Sequence, residues 1–322
     1  MMLFNGDAFD RWSSRSQYTA QMRVAAMHAA VGQTVAGSAP MHGEWSQIWG
    51  KIKSQAEGGE FTRHGTTAQV DVLGALDYKY SLWSWYFDSS CYRGVTAKVM
   101  AAANDASIKR IVLYVDSPGG HHHGLQEASD AIWAARETGK EVIAVVDPEA
   151  ASAGYWLASQ ASRIVGIESG WVGSLGSQIM VYSMKRMHEE SGLDIEVIRA
   201  AVSPNKNLGI PYEAITDEAR ADRKRIVDMA GEKFVEHVAR GRGLKREDVL
   251  KSFGQGLMYF TPDAISRGMI DEIGSLDSVL ADGASSTDAS SGTATTKRRT
   301  VYAIRNKESS GPLGSKRNNG VV

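Results

Sequence analysis

A chain of 322 residues with 43% hydrophobic and 23% charged side chains can form one large domain or two small ones, and its composition is that of an ordinary globular protein. Its 36 basic and 37 acidic side chains leave a formal net charge of −1, so nothing in the balance calls for nucleic acid or an anionic membrane surface. The single cysteine, Cys91, excludes an intrachain disulfide, and the segment Met1-Met2-Leu3-Phe4-Asn5-Gly6-Asp7 lacks the basic-then-apolar pattern of a signal peptide.

Residues 1–65 read as an extension, with a helical Ala/Met/Gln segment around Tyr18–Val31 and a polar, glycine-containing stretch from Ala56 to Glu60. No run of about 18–20 apolar residues occurs, so no membrane-spanning helix is expected. Residues 66–280 alternate strand and helix signals. Ala68–Leu76 reads as a strand and Ser90–Asn104 as a helix. Arg110–Asp116 is a β-branched strand run closed by the turn signal Ser117-Pro118-Gly119-Gly120. A helix is expected from about Gly124 to Thr138, stopped by Gly139, then a strand over Glu141–Asp147 and a helix beginning near Ser152. Arg163–Glu168 reads as a strand, Ser169–Ser177 as a Gly-rich loop, and Gln178–Tyr182 and Asp194–Arg199 as further strands around a helix that ends near Ser191. Uninterrupted apolar strands alternating with helices indicate a parallel α/β sheet. Thr216 caps a long helix with Asp217 and Glu218 in its first turn, a stripe of Ile226, Ala230, Phe234 and Val238, and a stop at Gly241 and Gly243. The domain closes with Tyr259–Ile273. Residues 281–322 are rich in Ser, Thr, Ala and Gly, carry seven basic against three acidic residues, and read as a disordered tail.

Two segments carry chemistry. In Ala150-Ala151-Ser152-Ala153-Gly154-Tyr155-Trp156, small residues flank a serine between a strand and a helix, which presents its hydroxyl at the strand's C-terminal end, where α/β sheets bind ligands. Taken alone, this segment reads first as a plain helix N-cap at Ser152, since serine N-caps are common. In Asp116–Gly120, two glycines after a strand let backbone N–H groups approach a ligand and form an oxyanion hole. An ordinary strand-to-helix turn is the bland alternative.

Taken together, Asp116–Gly120 and Ala151-Ser152-Ala153-Gly154-Tyr155 resemble the signal peptide peptidase A family of serine peptidases, most of all its phage and prophage head-maturation (capsid assembly) proteases. Val172-Gly173-Ser174-Leu175-Gly176 is similar to that family's Gly-Ser-Ile-Gly loop, and Ala264, Gly268 and Asp271-Glu272 to its closing segment. The resemblance covers roughly residues 66–280 and implies a Clp protease/crotonase-like α/β fold of stacked parallel strands with flanking helices. It implies a Ser–Lys dyad, with Ser152 as nucleophile and Lys206 as base. Ser174 would support the amine, and the backbone N–H groups of Gly119, Gly120 and Ala153 would form the oxyanion hole. Where the family has a Ser-Gly pair before its lysine, this chain has Ala200-Ala201-Val202-Ser203. A lysine is a base only while neutral, a form that desolvation favours, so Lys206 is expected to be buried beside Ser152.

The remaining chemistry-bearing residues read more blandly. His121-His122-His123 has no accompanying carboxylate or cysteine cluster at ligand spacing, so the expectation is a rim of the cleft and no metal or other cofactor. His188, on a charged helix, is a poor member of a Ser–His–Asp triad. Trp83, Trp85, Tyr86 and Phe87 read as core or subunit packing, and Cys91 as a small buried apolar residue.

The resemblance thus implies a serine endopeptidase acting on protein substrates, phage scaffold, portal or capsid segments, in a host cytoplasm or an assembling procapsid. It also implies a homo-oligomer with no membrane or nucleic-acid partner. The small-residue stretch Ala289–Ala294 in the tail is a candidate for self-cleavage. Three alternatives stand beside this reading: a peptide-degrading enzyme of the same family, a non-catalytic assembly protein, and crotonase chemistry on an acyl-CoA.

Overall fold

The computed structural model describes residues 2–4, 50, 54, 59–81, 84, 85 and 87–285. The helix expected over Tyr18–Val31, Trp83, Tyr86 and the tail from residue 286, including Ala289–Ala294, lie outside the described residues.

The centre of the molecule is a mostly parallel sheet. Its strands are β1 (Met2–Phe4), β2 (Thr62–His64), β3 (Thr67–Leu76), β4 (Arg110–His121), β5 (Glu141–Ala151), β6 (Arg163–Gly166), β7 (Trp171–Gly173), β8 (Met258–Phe260) and β9 (Glu272–Ile273). The order β2-β3-β4-β5-β6-β9 runs across the sheet, with β1 on β4 and with β7 bridging β5 and β8. The pairs β3–β4, β4–β5, β5–β6, β5–β7 and β6–β9 are all parallel. β2 adds as an antiparallel hairpin strand inside the stretch expected to be extension.

The helices are α1 (Tyr92–Asn104), α2 (Leu125–Glu137), α3 (Ala153–Ala158), α4 (Lys185–Glu190), α5 (Asp217–Arg242), α6 (Arg246–Ser252), α7 (Thr261–Ser266) and α8 (Leu276–Ser285). β-Branched runs in β4 and β5 are buried on both faces, as the crossover helices of a parallel sheet require, with Ile111, Val112, Leu113, Val142, Ile143, Ala144 and Val145 all inaccessible. The expected cap of α5 is present: the Thr216 hydroxyl accepts from the Ala219 N–H, and Gly243 closes the helix in the left-handed region. Ala230, Phe234 and Val238 of its stripe enter the core, while Ile226 is only half-buried.

Three expectations are corrected. Ser117-Pro118-Gly119-Gly120 is not a turn but the last part of β4, because β3 continues beside it through Ala75↔Gly119 and Leu76↔Gly120 and β1 takes its other edge. The β3–β4 register shifts between Leu73 and Ala75, partnered by Asp116 and Gly119, so β4 carries an extra residue at Ser117-Pro118, where Pro118 has no N–H to give the ladder. Gln178–Tyr182 and Asp194–Arg199 are not strands: among the described residues no strand offers them a ladder, and both segments are largely exposed. Finally, α8 continues to Ser285, past the expected end of the domain at residue 280.

Candidate functional site

β4, β5 and β7 bring most of the expected residues together at their C-terminal ends. β5 pairs with β4 as far as Ser117↔Ala150 and with β7 through Ala151↔Gly173, so the next residues along β5 and β7 are Ser152 and Ser174. The Ser152 N–H donates to the Gly173 carbonyl at 2.8 Å, and its own carbonyl accepts the first bond of α3 from Trp156 at 2.9 Å.

Ser152 is only 1% exposed and has φ 51° and ψ −121°, a backbone conformation that a residue with a Cβ adopts only under strain. Its side chain makes no capping bond to α3, so it is not acting as an N-cap. A serine held in a strained strand-to-helix turn with its hydroxyl uncommitted has the form of a nucleophile elbow. The small neighbours are needed for this turn. A Cβ on Gly154 would lie 3.0 Å from the Ser117 carbonyl oxygen, and one on Gly173 would lie 2.3 Å from that of Leu257.

The donors around the turn are not equivalent. The Gly119 N–H donates to the Ser117 hydroxyl at 3.2 Å, and that hydroxyl donates to the Gly74 carbonyl at 2.7 Å. Gly119 therefore stabilises β4 itself. Ala153 is the first residue of α3, where an N–H has no intrahelical acceptor. Ser174 is half-buried at φ 58°, anchored by its N–H to the Leu257 carbonyl at 2.9 Å.

Lys206 is not brought to this point. It is exposed on the projecting segment between β7 and α5, in a turn in which its N–H donates to Ser203 and its carbonyl accepts from Arg199 Nε at 2.7 Å. The expectation that its amine lies buried beside Ser152 is not met within one chain. The segment is nevertheless built. Arg199 grips Glu213 through two bonds of 2.7 and 2.6 Å, Ser183 donates to the Glu213 carbonyl, and His188 packs against Tyr212 at 5.5 Å. These contacts place His188 in the projecting segment as a packing residue.

The three consecutive histidines diverge. His121 Nδ1 faces Asp77 at 3.4 Å, His122 packs edge-on to Trp156 at 6.1 Å, and His123 is exposed. Burial lowers the pKa of His122 below its usual value. With Asp77, Tyr78 and Glu127 they line an open cleft of about 770 Å³ at the end of β4, whose lining does not include Ser152. Among the described residues no group of three His, Cys, Asp or Glu side chains is placed to hold a metal ion, and no helix is long and apolar enough to cross a membrane. Cys91 is buried at the N-cap of α1, where its sulfur accepts from the Gly94 N–H.

One feature of the site is absent from the sequence reading. Under α3, Trp156 Nε1 donates to Ser129 Oγ at 3.0 Å, Ser129 meets His237 Nδ1 at 2.9 Å, and Arg240 joins Gln160 to Asp130. This buried polar network fixes the helix that carries Ser152. Its members are spread over more than a hundred residues, and only the polar residues Ser129 and His237 on otherwise apolar helix faces hinted at it.

A strained serine with no capping bond thus stands at the ends of parallel strands, and the resemblance seen in the sequence is borne out: the model of Peptidase family S49 matches residues 134–289. Among curated proteins the chain is similar to the head-tail preconnector protein GP5 of Enterobacteria phage P21, at 28% identity over 64% of this chain and 40% of that protein. It is also similar to the capsid assembly protease C of Escherichia phage lambda, at 29% over 64% and 46%, and to Protease 4 of Haemophilus influenzae, at 27% over 56% and 28%. The chain therefore spans less than half the length of each of these three relatives. A ClpP1 mutant from Listeria monocytogenes aligns over 65% of this chain and 94% of its own at 14% identity, with a TM-score of only 0.39, so the α/β description rests on strand order and register.

Proposed function

We propose that the protein is a serine endopeptidase with Ser152 as nucleophile and Lys206 as general base, acting on proteins of an assembling phage head. The observation that carries this reading is Ser152 itself: buried, strained, flanked by small residues, and not used as a cap. The similarity to a phage capsid assembly protease supports the substrate class.

In this mechanism the Lys206 amine takes the Ser152 proton as Oγ attacks the substrate carbonyl carbon. The N–H groups of Gly120 and Ala153 hold the oxyanion, and Ser174 orients the amine. Gly119 would join them only by releasing Ser117. Collapse breaks the C–N bond, and the ammonium of Lys206 returns its proton to the leaving amine. The acyl-enzyme is then hydrolysed by a water that gives its proton to Lys206.

Lys206 must reach Ser152 from the projecting segment, and a second copy of the chain supplies it. Met180, Ile198 and Val202 on that segment are 85%, 87% and 94% exposed, apolar side chains that a neighbouring copy would cover while desolvating the lysine.

The test is mass spectrometry of the purified chain incubated with phage capsid, scaffold and portal proteins, with Ser152→Ala in parallel. Defined fragments with the parent and none with the variant support the reading. Identical fragments from both would mean that another group cleaves. Equally broad cleavage of unrelated peptides would move the substrate from head proteins to peptides in general.

A further inference from the structure

β4 has two edges, and at its C-terminal end they carry different partners. One is held by β3, through Ala75↔Gly119 and Leu76↔Gly120. The other is vacated by β5, whose pairing with β4 ends at Ser117↔Ala150, two residues before the Ser152 turn. On this vacated edge lies β1, antiparallel, with Met2↔His121, Leu3↔Gly120 and Phe4↔Gly119.

An extended peptide recognises an exposed sheet edge through main-chain hydrogen bonds, by adding a strand. Around Ser152 the edge of β5 is already taken by β7, through Glu149↔Trp171 to Ala151↔Gly173. Gly119–His121 is consequently the edge beside the serine on which a substrate backbone can be aligned, and its glycines leave room for a chain to come close. We propose that Met2–Phe4 is an intramolecular competitor that occupies the substrate-strand position and holds the cleft closed until a substrate displaces it. This inference rests on the peptidase reading for the word substrate, but the competition itself is a binding property that needs no catalysis. A cleft open for only a fraction of the time has its affinity reduced by that fraction.

The experiment uses the full chain carrying Ser152→Ala, so that nothing is cleaved. The probe is a fluorescein-labelled peptide with the sequence of residues Met2–Asp7. Its affinity is measured by anisotropy for this chain, for the same chain with Leu3→Pro and Phe4→Pro, and for the same chain lacking residues 2–6. Adjacent residues of an antiparallel strand alternate between bonded and non-bonded pairs, so the two prolines together remove a ladder donor whatever the phase. The peptide is expected to bind both altered chains about tenfold more tightly than the chain with its own strand in place, the factor for an edge nine-tenths occupied. Equal affinity for all three, or no binding to any, would overturn the proposal. Reaction of Ser152 with a fluorophosphonate in the serine-intact chain is a separate readout, so loss of the peptidase reading and loss of the competitor are told apart.

Discussion

At the scale of single residues, the site depends on backbones that lie closer together than side chains allow. A Cβ on Gly120 would stand 2.0 Å from the Leu76 carbonyl oxygen, an atom of the neighbouring strand that cannot swing aside. Gly120→Ala should force β3 and β4 apart where the proposed oxyanion donors sit, costing about 3 kcal/mol or more of stability. Urea denaturation of the two chains checks this, and an unchanged midpoint would mean that the strands are looser than the register indicates. The sequence made this residue legible as a glycine of close approach, and Ser152 as a serine among small residues. It could not make legible that Gly119 spends its N–H on Ser117, because that bond depends on the extra residue that β4 carries against β3 at Ser117-Pro118. Nor could it separate an N-cap from a nucleophile, since both place serine before a helix. The backbone angles and the missing cap bond speak against the N-cap.

At the scale of elements, α3 is short, and its orientation depends on what lies beneath it. His237 on α5 meets Ser129 on α2 and packs on Trp156 of α3 at 5.0 Å. Burial, with Arg240 nearby, lowers the His237 pKa from its usual value. The folded chain then binds fewer protons here than the unfolded chain. The associated stability is complete above the unfolded value of about 6.5 and is lost as the pH falls through the lower folded value. The thermal midpoint should accordingly drop on acidification from about pH 6.5 downward. A His237→Asn chain, which has no group titrating there, should show a shallower fall, and superimposable curves for the two chains would remove His237 from the account. Long apolar runs made β3, β4, β5, α2 and α5 readable, because a core selects on side-chain period. The same signals misled at Gln178–Tyr182 and Asp194–Arg199: Ile195 and Ile198 have strand character, but a strand also needs a neighbour, which local sequence does not reveal.

At the scale of the whole molecule, the serine and its proposed base lie on different parts of the chain, one buried in the sheet and one exposed on a projection. If a second copy brings Lys206, the chains complement one another. A one-to-one mixture of Ser152→Ala and Lys206→Ala, each inactive alone, should recover peptide cleavage to about a quarter of the parent's, because random neighbours unite an intact serine with an intact lysine in that share of sites. Recovery would fail if both groups come from the same chain.

The central claim, that Ser152 is a nucleophile activated by Lys206, is tested most directly by reaction with a fluorophosphonate and location of the adduct by mass spectrometry. The account predicts an adduct on Ser152 in the parent chain, none in Ser152→Ala, and a rate at least about 10²-fold lower in Lys206→Ala, the usual contribution of a general base. An adduct on a different serine would contradict the nucleophile, and an undiminished rate in Lys206→Ala would contradict the base.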